Sequence, residues 1–285
     1  MEQIDFEYGG KHCQLIIFDK YKYKLRKNEI NRLKKLVNVY EIDVHSFDII
    51  NNIHSGFPES NFEYQFMPRL DNEVNKINLD IDEIKKLVKE VYIKYNNQFL
   101  CNFLRIFIYP LEIDNSPDMD GVHAFTPYKN TIHFWINPNK KKWKKTFQET
   151  IFHEQSHAYL HTTNKNYVEH FIKEGPLYEW IISEGLAENY AESVTGGYIY
   201  KKGNKWFGFS RESALDQFKL IKNRIYESRE DDGNIMFGGG KYKRLTGYAI
   251  GYWIVNDYLK NTKKSIVEAH HATFKDILEG SGWLN

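Results

Sequence analysis

The residues that most constrain the chemistry of this 285-residue chain are His153-Glu154-Gln155-Ser156-His157. They lie in a stretch, Trp143 to Leu160, that has helical spacing and contains neither Pro nor Gly. Side chains four apart on a helix stand one above the other, so both imidazoles reach one ion from the same side. Zinc takes nitrogen and oxygen ligands in a tetrahedron, and a catalytic site keeps one position for water, whose pKa the ion lowers towards neutrality. Glu154 flanks the two ligands without binding the metal, which suits a general base that takes a proton from that water and hands it to a leaving group. With 11 histidines in the chain, about 0.03 accidental matches to this pattern are expected, so a metal site outweighs coincidence.

A third protein ligand is required, and the next helical segment, Tyr178 to Ala191, supplies acids. Its apolar stripe comprises Leu177, Trp180, Ile181, Ala187, Ala191 and Val194, and Glu184 falls inside it. A carboxylate facing a core needs a cation or a strong donor to offset its desolvation. Glu188, Glu174, Glu179 or a further histidine are the alternatives at this point. Gly185 removes a side chain and is expected to let this helix approach the histidine helix closely. Glu188 and Glu192, one and two turns further on, are placed to support a ligating imidazole or to face solvent.

Together, His-Glu-Gln-Ser-His, the later Ser-Glu-Gly-Leu-Ala-Glu from Ser183, and Gly247-Tyr248-Ala249-Ile250-Gly251-Tyr252 resemble a family of predicted Zn-dependent proteases first classed as a domain of unknown function. More distantly the chain is similar to gluzincins such as the alanyl aminopeptidases and thermolysin. The resemblance covers about residues 121–259. It implies a zincin-like α+β fold with a small sheet next to the histidine helix and a mainly helical C-terminal part. It also implies Glu184 as third ligand, by analogy with the glutamate of an Asn-Glu-Gly-Phe-Ala stretch, and a zinc-dependent peptidase acting on a peptide or protein substrate. The 26 residues 158–183 between His157 and Glu184 exceed the aminopeptidase spacing. That departure keeps a second reading in play, a zinc-binding regulatory or interaction protein without peptidase activity. Hydrolysis of a non-peptide amide or ester is a third, because the same ligands polarise any carbonyl.

By the same resemblance, the strand preceding the histidine helix, Thr131 to Asn137 with Ile132 and Phe134, is expected to hold substrate along an open edge. An extended peptide would satisfy that edge with main-chain hydrogen bonds. A buried core strand is the alternative for such an aromatic, β-branched run. A developing oxyanion needs a donor besides the metal. Tyr248 and Tyr252, four apart in a helix expected over Thr246 to Leu259, are the candidates, followed by His123 and His133. Arg244 is a candidate for a substrate carboxylate, though an exposed arginine is commoner.

The elements that must position these groups are legible in outline. Strands are expected at Cys13 to Phe18, Phe103 to Tyr109 and Thr131 to Asn137, the last two as neighbours. Amphipathic helices are expected over about 28–39 and from Ile81 to Tyr92, where Ile81, Ile84, Leu87, Val88, Val91 and Tyr92 line one side. Residues 59–78 read as a loop or domain approach, and beyond Lys140 the chain is mainly helical apart from an aromatic and glycine-rich stretch, 196–208, and a loop, 231–240. The expected organisation is an N-terminal α/β or α+β lobe over 1–100 and a metallopeptidase domain over 101–285.

Composition bounds the rest. Hydrophobic residues make up 41% and aromatics 16% of the chain, enough for a packed interior and too much for a disordered one. The 39 basic and 38 acidic residues nearly cancel, so no overall field draws the protein to nucleic acid or to anionic lipid. The run Lys140-Lys141-Lys142-Trp143-Lys144-Lys145 reads as a solvated helix entrance. Two cysteines, Cys13 and Cys101, are too few for a disulfide framework and are expected as reduced, buried thiols. A soluble cytoplasmic protein is the expectation, with oligomeric state open.

Overall fold

The computed structural model describes residues 2–17, 79–110, 120–163, 175–196, 201–202, 205–206, 208–228 and 232–285. The helix expected over 28–39, the loop over 59–78 and Glu174 lie outside these. The fold is α+β, with a five-stranded sheet, a two-stranded ribbon and eight α-helices among the described residues. The chain divides into two compact units, Met1–Thr150 and Ile151–Asn285.

The first unit holds the sheet, in spatial order β1 (Glu2–Tyr8), β2 (Lys11–Ile17), β3 (Phe103–Pro110), β5 (Thr131–Ile136) and β4 (Val122–Tyr128). β2, β3 and β5 run parallel, and the outer strands β1 and β4 are each antiparallel to their neighbour. Interior parallel strands are buried on both faces and so read as continuous apolar runs. Consistent with this, Cys13 to Ile17 are all buried, as are Ile106, Phe107 and Ile108. One face carries Leu15, Ile106, Ile132 and Phe134, with Phe134 set edge-on to Phe147 at 4.7 Å. The other carries a polar ladder in which Arg105 Nε donates to Gln14 Oε1 (2.8 Å) and Gln14 Nε2 donates to Asp5 Oδ1 (3.0 Å). Further along that face His133 stacks on Phe107 at 4.7 Å. Helix α1 (Ile81–Tyr95) buries Ile84, Leu87, Val88, Val91 and Tyr92, and starts at Asp80, whose carboxylate accepts the Glu83 amide at 3.0 Å.

Two expectations are corrected here. β5 is paired on both sides, so Ile132 and Phe134, both fully buried, face the core and offer no open edge; the outermost strand is β4. β1 and β4 were not expected as strands. In β1 the alternating Ile4, Phe6 and Tyr8 carry the signal among acids, and β4 follows the left-handed Asp120-Gly121 turn, which masks its start. The lysine run is a helix entrance, as expected: Lys142 lies 3.6 Å from Asp120, Lys144 pairs with Glu83, and Lys145 lies 3.6 Å from Glu149. Cys13 and Cys101 are buried free thiols, each pushed up to about 12 by burial.

The boundary between the units falls inside helix α2 (Trp143–Thr163). The second unit continues with α3 (Leu177–Thr195), the ribbon β6 (Lys201–Lys202) and β7 (Lys205–Trp206), α4 (Arg211–Lys219), α5 (Asp232–Phe237), α6 (Thr246–Thr262), α7 (Ile266–Ala269) and α8 (Phe274–Gly280). α5 occupies what reads in sequence as a loop. Its core is built on α3 and α6, whose middles are buried nearly all round. Every residue from Ile181 to Ala191 is buried, as befits a helix surrounded by its neighbours rather than lying at a surface.

α3 and α6 meet backbone to backbone at two glycines. A Cβ on Gly185 would come within 2.2 Å of the Gly251 carbonyl oxygen, and one on Gly251 within 2.0 Å of the Ile181 carbonyl oxygen. Gly185 therefore admits α6, not the histidine helix as expected from sequence. Asn189 locks the contact, its Nδ2 donating to the carbonyls of Gly185 (2.8 Å) and Tyr252 (3.0 Å). No helix among the described residues is long and apolar enough to cross a membrane.

Candidate metal centre

α2 and α3 each bring one apolar-looking turn with embedded polar groups to a common interior. His153, Glu154 and His157 on α2 are 7, 6 and 7% exposed, and Glu184 and Glu188 on α3 are 6 and 2% exposed. The Nε2 atoms of His153 and His157 are 3.2 Å apart. Glu184 Oε2 lies 3.2 Å from the first and 3.5 Å from the second. Zinc bonds of 2.0–2.1 Å at tetrahedral angles place neighbouring ligand atoms about 3.3 Å apart. The three donors thus form one face of a tetrahedron of the size zinc demands, and they are the His, Cys, Asp and Glu group among the described residues able to hold an ion.

The electrostatics agree with that geometry. Glu184 Oε2 is shut off from solvent, and no donor meets it in hydrogen-bonding geometry. Burial disfavours its charge, but the pull of His157 and then His153 more than reverses this and brings the carboxyl to about 2. Burial likewise disfavours the charged form of His153, yet Glu184 and Glu188 raise its pKa well above the usual imidazole range. A buried carboxylate facing two imidazole nitrogens is a donor set that could hold a divalent cation.

Behind His153, Glu188 Oε1 lies 3.2 Å from Nδ1, on the ring edge opposite the triad. A carboxylate on that edge favours, by its charge and without a hydrogen bond in good geometry, the tautomer protonated at Nδ1, which leaves Nε2 free for a metal. Glu179 instead accepts the Tyr178 hydroxyl at 3.1 Å.

The two tyrosines diverge. Tyr252 is buried and donates to Glu192 Oε2 at 2.5 Å; burial first, then this carboxylate, raises its pKa. Tyr248 is half-buried, its ring 5.9 Å from Phe237. His123 and His133 belong to the sheet of the first unit, where burial lowers them to about 4 and about 3. Arg244 is exposed.

Sequence reading did not anticipate the polar contacts that hold α2 in place. Tyr190 of α3 donates to Gln155 Oε1 at 2.7 Å, and His270, after α7, has Nε2 2.7 Å from Ser156 Oγ. Burial lowers His270 to about 4. Only its distance in sequence hid it, since no local pattern links residue 270 to residue 156.

A buried His-His-Glu centre on two helices of an α+β protein defines a candidate metallohydrolase. Comparison with known proteins agrees: residues 84–279 match the family described as Predicted Zn-dependent protease (DUF2268), and the chain belongs to that family. Over 114 residues it is 28% identical to the uncharacterized protein YjaZ of Bacillus subtilis (strain 168), a stretch covering 40% of this chain and 44% of that protein. The match therefore spans less than half of that relative's length. No solved structure matches the chain.

Proposed function

We propose that this protein is a zinc-dependent peptidase of the gluzincin type on a zincin-like fold. In this reading His153, His157 and Glu184 are the zinc ligands. The observation that carries the reading is the near-equilateral triangle of His153 Nε2, His157 Nε2 and Glu184 Oε2. The family's description supports zinc and peptide-bond hydrolysis.

Zinc, if held by His153, His157 and Glu184, would supply Lewis acidity for a water and a substrate carbonyl. Glu154, one residue from His153 and buried beside it, takes the proton of the attacking water and delivers it to the leaving amine. Glu188 orients His153 through Nδ1. Tyr248 and Tyr252 are the candidates for the developing oxyanion, and the Tyr252 hydroxyl would have to leave Glu192 to serve there. The substrate is a peptide or protein.

Glu154→Gln tests the mechanism, since an amide of the same shape cannot accept the proton. The zinc content should stay at the wild-type level while hydrolysis of a peptide library falls by about 10²–10⁴-fold. Undiminished turnover in that variant would contradict the role of Glu154. Wild type that holds zinc yet cleaves no peptide, amide or ester would replace the peptidase reading with a zinc-binding regulatory protein.

A further inference from the structure

α2 is held by side chains from elements far away in sequence. By helical spacing Gln155 points away from the triad, Tyr159 lies on the same far side, and Ser156 stands beside the triad. Gln155 is tied to α3 through Tyr190. The other two are gripped by adjacent histidines after α7: Ser156 Oγ lies 2.7 Å from His270 Nε2, and Tyr159 Oη lies 3.2 Å from His271 Nε2. The His270 ring is edge-on to Tyr190 at 5.8 Å and to Tyr159 at 6.0 Å. His270 is 1% exposed and Ser156 fully buried.

The direction of each bond follows from chemistry. His270 Nδ1 lies 2.8 Å from the Ile266 carbonyl oxygen, which can only accept, so Nδ1 carries the ring proton. In the neutral ring Nε2 is then the acceptor, and the Ser156 hydroxyl donates to it. A helical serine otherwise bonds back to its own helix. Here it is aimed at a fixed acceptor anchored one helical turn from its own backbone.

We infer that Ser156 and His270 form a positioning pair that fixes the rotation of α2 and thereby the distances of His153 Nε2 and His157 Nε2 from Glu184 Oε2. Ser156 adjoins His157, so a rotation of α2 that breaks the Ser156–His270 bond also opens the ligand triangle. The pair sets zinc affinity rather than touching the metal, and this rests on the reading of His153, His157 and Glu184 as zinc ligands. Capping reinforces the anchor: α7 starts in a capping box between Ser265 and Glu268, which holds the turn that presents His270.

The experiment is a double-mutant cycle read in zinc affinity. Zinc Kd is measured by chelator competition, well below the unfolding temperature, for wild type, Ser156→Ala, His270→Leu, the double variant and His270→Gln. Each of the two single removals should weaken zinc binding by about tenfold, and the double variant no further than either single. His270→Gln, whose side-chain oxygen can accept the Ser156 proton, should recover most of the affinity. A contact of purely structural value would lower the unfolding midpoint of Ser156→Ala while leaving its zinc Kd within about twofold of wild type, and that overturns the positioning role. Should His270→Leu not fold, Ser156→Ala and His270→Gln decide the matter between them. Wild type that binds no zinc overturns the metal reading itself, and with it the pair.

Discussion

Two imidazole nitrogens and a carboxylate oxygen within 3.5 Å of each other, shut away from water, are costly unless something positive joins them. His153 and His157 could be read from sequence because the spacing of four is itself the geometry. Glu184 was legible as a charged residue inside an apolar stripe. The burial of Glu188 was not, because periodicity cannot show that α3 is covered on every side. Nor could spacing show that the Tyr252 hydroxyl goes to Glu192. A pH prediction belongs at this scale. In the metal-free protein Glu184 and Glu188 raise His153 well above the imidazole range, so its proton persists through neutrality and zinc must displace it. Glu184, brought to about 2, holds no competing proton there. Zinc affinity should therefore rise with pH by about tenfold per unit and keep rising above pH 7, where an ordinary imidazole has already lost its proton. A Kd that is flat from pH 7 to 8 would show that His153 holds no such proton.

At the scale of elements, α1, α2, β3 and β5 are readable because their own residues carry the period. What fails are the relations between elements. An aromatic, β-branched run looks the same on an edge strand and an interior one, so the neighbours of β5 had to be seen. Gly185 announces a close approach without naming the partner, which proves to be Gly251 of α6. That contact makes a prediction. Gly251→Ala should lose roughly 1–3 kcal/mol in denaturant unfolding, towards the upper end because the obstacle is the Ile181 backbone and not a movable side chain. Gly233→Ala, in α5 where nothing lies within 4 Å of an added Cβ, should be neutral or gain up to about 1 kcal/mol from helix propensity. Equal effects at the two positions would mean that the α3–α6 crossing is looser than described.

Across the whole molecule, the family match from 84 to 279 takes in α1, most of the sheet and nearly all of the second unit. It reaches beyond the motif-bearing stretch at both ends, taking in most of α1 and of α8. The proposed metal ligands, Glu154 beside them and the proposed Ser156–His270 pair all belong to the second unit, 151–285. The most direct test of the account is zinc per chain, by elemental analysis of purified wild type beside His153→Ala and Glu184→Ala. Close to one zinc per wild-type chain is expected, with a marked loss in both variants. A folded wild type that holds no zinc and cannot be reconstituted with it would contradict the account at its centre.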